Sequence, residues 1–158
     1  MPHHHDTKTA LLLSAALTLL AAGGAIYLLF RPSTTLMHHL IGSTAPALQD
    51  WRSAAASDAL CPAWATTLLP QWLREAVVYS LPNGLWSAAW ILSVCAIHRN
   101  DCRRNVLLWA ALIPMLGVAS ELLQAIGCCP GTFDWMDIVA YTLPYFFLPT
   151  LKWSKPSP

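Results

Sequence analysis

The chain has 158 residues, of which 56% are hydrophobic and only 11% charged, with a mean hydropathy of +0.47. Soluble domains carry about 25% charged residues, so this balance excludes an ordinary soluble fold and a disordered tail. A net charge of +1 leaves no field to recruit polyanions, which disfavours nucleic-acid binding. Eight tryptophans and twelve prolines fit a small polytopic membrane protein, in which tryptophan anchors at interfaces and proline is tolerated inside spans.

The first apolar run, residues 10–30, is uncharged and long enough to cross a hydrocarbon core of about 30 Å as a helix. Small residues from Ala21 to Ala25 resemble a cleavage site. The run nevertheless continues to Phe30, longer than a usual signal-peptide core, and is read as an uncleaved signal anchor. A second span is expected at 76–98, where Leu81-Pro82-Asn83-Gly84 should kink or open the outer end of the helix. A third is expected at 106–126. A fourth, at 135–151, is short and interrupted by Pro144 and Pro149. The predicted fold class is all-α: a polytopic membrane protein forming one domain of four transmembrane helices, with an interfacial helical segment between the first and second.

Charge placement predicts the orientation. Lys8, Arg99, Arg103, Arg104, Lys152 and Lys155 fall on one side of a four-span arrangement, and Arg31, Arg52 and Arg74 on the other. The positive-inside rule then puts both termini in the cytoplasm, with the outer loops 31–72 and 127–135 facing away from it. The same rule accounts for the basic loop 99–105 without nucleic acid. The long outer segment reads as surface helix, from Pro46 to Leu60 and from Thr66 to Leu73, the latter held at the interface by Trp64 and Trp72. His3, His4 and His5, on a terminal run, make a poor metal site.

Cys61, Cys128 and Cys129 fall on the outer side, where an oxidising compartment permits a disulfide. A bridge from Cys61 to Cys128 or Cys129, a strained vicinal bridge, and free thiols all stand open. Cys128-Cys129 lacks the two-residue spacing of a redox CxxC site. Cys95 and Cys102 lie in span two and the inner loop.

Glu121 is the acidic residue inside an apolar span, where a carboxylate at mid-membrane costs about 2.5–3.5 kcal/mol. It belongs to a stripe: Ala110, Pro114, Gly117, Glu121 and Gln124 recur at helical spacing, so this small and polar face should turn toward the bundle. Asp134, Asp137, Tyr141 and Pro144 form a second such stripe on the next helix, with Thr132 as its expected cap. The glycine- and proline-rich turn 127–132 makes these two helices antiparallel neighbours. Ser80, Asn83 and Ser87 supply a third polar face at similar depth. Glu121, Gln124, Asp134, Asp137 and Asn83 are therefore the candidate binding residues. Acidic residues at a helix start and polar pairs between helices also serve structure alone, so these residues read equally as interhelical glue. Converging carboxylates repel, and a held proton, Arg74, a divalent cation or a cationic ligand would offset that repulsion.

Two motifs carry a family resemblance. Glu121-Leu122-Leu123-Gln124, followed by Gly131-Thr132-Phe133-Asp134-Trp135-Met136-Asp137-Ile138, resembles the E-x-x-Q, turn, D-x-x-D signature of VanZ-like proteins. Tyr79-Ser80-Leu81-Pro82-Asn83-Gly84-Leu85-Trp86 is similar to a second-span stretch in some of them, with Asn83 at an aspartate position. The family's final-helix Asn-x-x-Gly is replaced by Tyr141-Thr142-Leu143-Pro144. The resemblance covers about the half of the chain from Ser80 onward. It implies a small bacterial inner-membrane protein of the cell envelope, related to an accessory glycopeptide (teicoplanin) resistance factor. Its implied ligand is a lipid-linked or cell-wall-related molecule.

Three functions follow. The first is an envelope factor that binds such a ligand in an acidic outer pocket. The second is an enzyme using carboxylates or a metal on a membrane lipid; no histidine joins the acidic cluster, and aspartate-rich sites favour Mg²⁺ or Ca²⁺. The third is a structural or regulatory subunit of a larger membrane complex, packing through Gly23-Gly24 and Ala88-Ala89 against another membrane protein. A transporter fits poorly, since spans one, two and four carry no charge at mid-depth.

Overall fold

Leucine and alanine dominate the first apolar run, and both favour helix. In the computed structural model, which describes residues 3–30, 47, 70–98 and 101–148, that run lies within α1, His3–Phe30. Its hydroxyls are satisfied by their own helix, as an apolar surrounding requires: Ser14 Oγ donates to Leu11 O at 2.9 Å and Thr18 Oγ1 to Ser14 O at 2.9 Å. One narrow face is buried, at Ala16 and Gly23, while Leu11, Leu17 and Leu20 are exposed.

The second helical run begins after Pro70 with a short helix, α2 (Gln71–Glu75). It passes through one π-helical turn, Ala76–Ser80, and continues as α3 (Leu81–Ile97). Proline explains the sequence of events. Pro82 has no N–H and sits in the first turn of α3, where none is needed. Just ahead of it the Leu81 N–H reaches back five residues to Ala76 O, so one extra residue is absorbed before the proline. The opening expected at Leu81-Pro82-Asn83-Gly84 therefore falls on the residues preceding it.

α4 (Arg103–Ala125) follows a tight connection. There His98 Nδ1 lies 2.8 Å from Asp101 Oδ2, and the imidazole stacks on Trp109 with centroids 6.1 Å apart. α5 (Trp135–Phe146) returns alongside α4. Four residues of the stripe read from the sequence, Ala110, Pro114, Gly117 and Glu121, are buried on α4 together with Val106, and the fifth, Gln124, is half-buried.

Thr7–Leu28, Gln71–Ile97 and Arg103–Ala125 are long and apolar enough to cross a membrane. The expected fourth span behaves differently. With 12 residues α5 is about 18 Å long, short of a hydrocarbon core of about 30 Å. The expected segment from residue 149 onward lies outside the described residues, as does the outer segment 31–69 apart from residue 47. The described end of that segment, Gln71 to Leu73, starts the second span rather than forming a separate surface helix; Trp72 is exposed there.

α3 is the central element, packed against α1, α4 and α5, and α4 also packs against α5. The core joins Ile91, Val94 and Cys95 of α3, Val106 and Ala110 of α4, and Leu148, with Leu12, Trp90, Leu107 and Tyr145 packed around them. Close approach depends on small residues. A Cβ on Gly23 would fall 2.6 Å from Trp86 Nε1, so the small-residue face of α1 is used inside the molecule. Polar side chains tie the helices together. Ser87 Oγ, fully buried, donates to Tyr141 O at 2.7 Å, Trp90 Nε1 donates to Trp109 O at 2.9 Å, and Tyr145 Oη donates to Leu107 O at 3.3 Å.

Candidate functional site

The polar faces of the second, third and fourth helical runs meet at the end of the bundle where α4 turns into α5. They enclose a cavity of about 530 Å³ lined by Asn83, Glu121, Gln124, Asp134 and Asp137, the five residues expected from the sequence. Glu75, Tyr79, Ser120, Tyr141 and the turn residues Pro130 to Thr132 complete the wall.

The turn is built by two glycines in left-handed conformations, Gly127 (φ 74°) and Gly131 (φ 137°). Gly131 also has no room for a side chain, because a Cβ there would lie 2.6 Å from Gln124 Oε1. The turn is held from α4 by Glu121, whose Oε2 accepts a hydrogen bond from Asp134 N at 3.0 Å. Asp134 in turn caps α5: its Oδ1 accepts from Met136 N at 2.8 Å. This corrects the expected cap, Thr132, which lies two residues too early and lines the cavity instead. Asp137 sits in the first turn of α5, where the helix dipole favours an anion.

Burial separates the lining residues. Glu121 is 5% exposed and Asn83 6% exposed, although both are strongly polar. Glu121 commits one carboxylate oxygen to the turn. Asn83 spends its amide on a long 3.4 Å contact to Tyr79 O. Both thus keep acceptor capacity at the cavity wall, where an unmade hydrogen bond is costly. Gln124 is positioned from its own helix, donating from Nε2 to Ser120 Oγ at 3.3 Å. Glu75, at the exposed rim, accepts from Gln71 Nε2 at 2.7 Å.

Four of the lining residues are acidic, and no lysine, arginine, histidine or cysteine is among them. Such a wall accepts hydrogen bonds and attracts positive or donor-rich groups. Among the described residues it holds no hydroxyl or thiol paired with an imidazole base, the arrangement of nucleophilic catalysis. No three His, Cys, Asp or Glu side chains among the described residues converge as a metal-binding group. Cys128 and Cys129 are free thiols in the turn, so the vicinal bridge is not formed; Cys61, the third candidate, lies outside the described residues.

Glu75, Tyr79 and Ser120 were not expected in the wall. Glu75, Tyr79 and Asn83 do recur every four residues, but a uniform helical count backward from Asn83 fails across the π turn. Ser120 adjoins Glu121 and lies four residues before Gln124, so the hydrogen bond between them was the available signal. Replacing Asp134 by alanine should cost about 1 kcal/mol through loss of the cap. A thermal unfolding series in detergent should place Asp134→Ala below wild type, with Asp134→Asn and Asp134→Ser close to it.

No protein-family model, curated protein or solved structure matches this chain.

Proposed function

We propose that the chain is a VanZ-like integral membrane protein of the bacterial cell envelope that binds the polar part of a lipid-linked or cell-wall-related ligand. It crosses the inner membrane four times, α5 continuing into the last crossing, and keeps both termini in the cytoplasm. The cavity then opens at the outer face. The observation that carries this reading is the roughly 530 Å³ polar cavity in a protein whose exposed surface is rich in large apolar side chains. Buried Glu121 and Asn83 support a binding role over a purely structural one, since each keeps an acceptor at the cavity wall.

Protection against a glycopeptide such as teicoplanin, or against envelope stress, is the expected phenotype. Glu121→Gln and Asp137→Asn each remove one charged acceptor, an interaction worth about 1.5–3 kcal/mol, or about tenfold or more in affinity. Both variants should abolish protection in cells at unchanged membrane abundance, measured by growth across graded teicoplanin concentrations and by quantitative blotting. Full protection by both variants would remove the proposal.

A further inference from the structure

A second cavity, about 770 Å³, runs between α1, α3 and α4. α3 forms its floor through Trp86, Ala89 and Trp90. α1 forms one wall through Ala16 and Leu17, and α4 the other through Ile113. The groove shares Ser120 and Tyr141 with the polar cavity, so the two meet end to end. From Ser120 it follows α4 to Ile113, seven residues or about 10 Å toward the helix interior.

We propose that one ligand occupies both cavities: a lipid whose hydrogen-bond-donating head sits among Asn83, Glu121 and Asp137, and one of whose hydrocarbon chains lies in the groove. This rests on the binding reading above and adds the head chemistry and the chain site. Two observations fix the occupant. The groove is lined almost wholly by apolar side chains, Ser93 spending its hydroxyl on Ala89 O, and it shares its other polar residues, Ser120 and Tyr141, with the polar cavity, which matches an amphiphile rather than a free polar solute. The polar end holds four carboxylate residues and no described cation, which favours sugar hydroxyls or an ammonium group and disfavours a terminal phosphate. Asn83, 94% removed from solvent by its 6% exposure and spending only a 3.4 Å contact on Tyr79 O, gives the head a neutral partner besides the acids.

The test uses the full chain in phosphatidylcholine nanodiscs doped with one of three lipids, each carrying a diazirine midway along one chain. The heads are glucosyl-diacylglycerol, phosphatidylethanolamine and phosphatidic acid. Peptides containing Ala16, Ala89 or Ile113 should be labelled by the glucosyl lipid, by phosphatidylethanolamine, or by both; which of them labels identifies a hydroxyl or an ammonium head. Phosphatidic acid should label them weakly. Glu121→Gln should lower the labelling about tenfold, the factor expected for a lost charged acceptor. Leu116→Trp, on the exposed rim of the groove, should also lower it about tenfold, on the order of excluding two methylenes, without adding anything to the core. Equal labelling by all three lipids, or labelling that neither variant changes, would overturn the proposal and make the groove a seat for bulk lipid. That result leaves the pocket reading standing, because the latter falls only if Glu121→Gln and Asp137→Asn keep glycopeptide protection.

Discussion

Gly117→Val is expected to lower the apparent melting temperature by about 10 °C. A Cβ at this position would lie 2.4 Å from Cγ of Tyr141, with both Cδ atoms within 2.6 Å. Cγ is the fixed root of the ring, so the clash cannot be relieved by swinging a distant atom. Either the ring leaves its rotamer or α4 and α5 separate. Overpacking of this kind costs about 1–3 kcal/mol and occasionally more, and in a chain of this length each kcal/mol is worth about 2–4 °C. Separating the helices would also strain the Ser87 Oγ bond to Tyr141 O at 2.7 Å. Tyr141→Ala in the same chain removes the obstacle, so a double-mutant cycle should give a favourable coupling of about 1–3 kcal/mol. A purely additive cycle would show that α4 and α5 do not meet at this pair.

Glu121→Leu should cost about 2 kcal/mol, an effect distinct from the loss of ligand. The leucine removes the acceptor of Asp134 N, leaving that donor unmatched at the start of α5. It also places an apolar side chain in a polar wall. The start of α5 then loses its side-chain tether to α4, and hydrogen exchange at Asp134 and Met136 should accelerate well before global unfolding. Glu121→Gln keeps an oxygen at the same place and should retain both the slow exchange and the melting temperature. Stability lost equally in both variants would mean that charge, rather than the hydrogen bond, holds the turn.

Much of the site was legible because helical periodicity was uninterrupted where it mattered. In α4 the spacing of Ala110, Pro114, Gly117 and Glu121 predicted a buried face, and each of these residues is buried. The same holds for Ser80, Asn83 and Ser87. Reading failed where local backbone departs from a regular repeat. Thr132 and Asp134 are both capping residue types, and only the conformation of the turn decides between them, Asp134 taking the extended backbone of an N-cap. The last helix, with Pro144 inside it, is described from Trp135 to Phe146, and the rest of the expected span, from residue 149 onward, lies outside the described residues. The groove was invisible in sequence, since Ala16, Ala89 and Ile113 are ordinary lipid-span residues until three helices bring them together.

The π turn at Ala76–Ser80 works as a phase shifter. Removing one residue from it would restore an unbroken α-helix and rotate everything on its N-terminal side by about 100°. Glu75 would swing out of the cavity wall while Asn83, anchored in α3, kept its place. The azimuth of the N-terminal tip of this helical run is therefore encoded by a single insertion, separately from the packing of the buried part. Gaining or losing that one residue would re-aim the rim of the pocket with no change to the core beneath it.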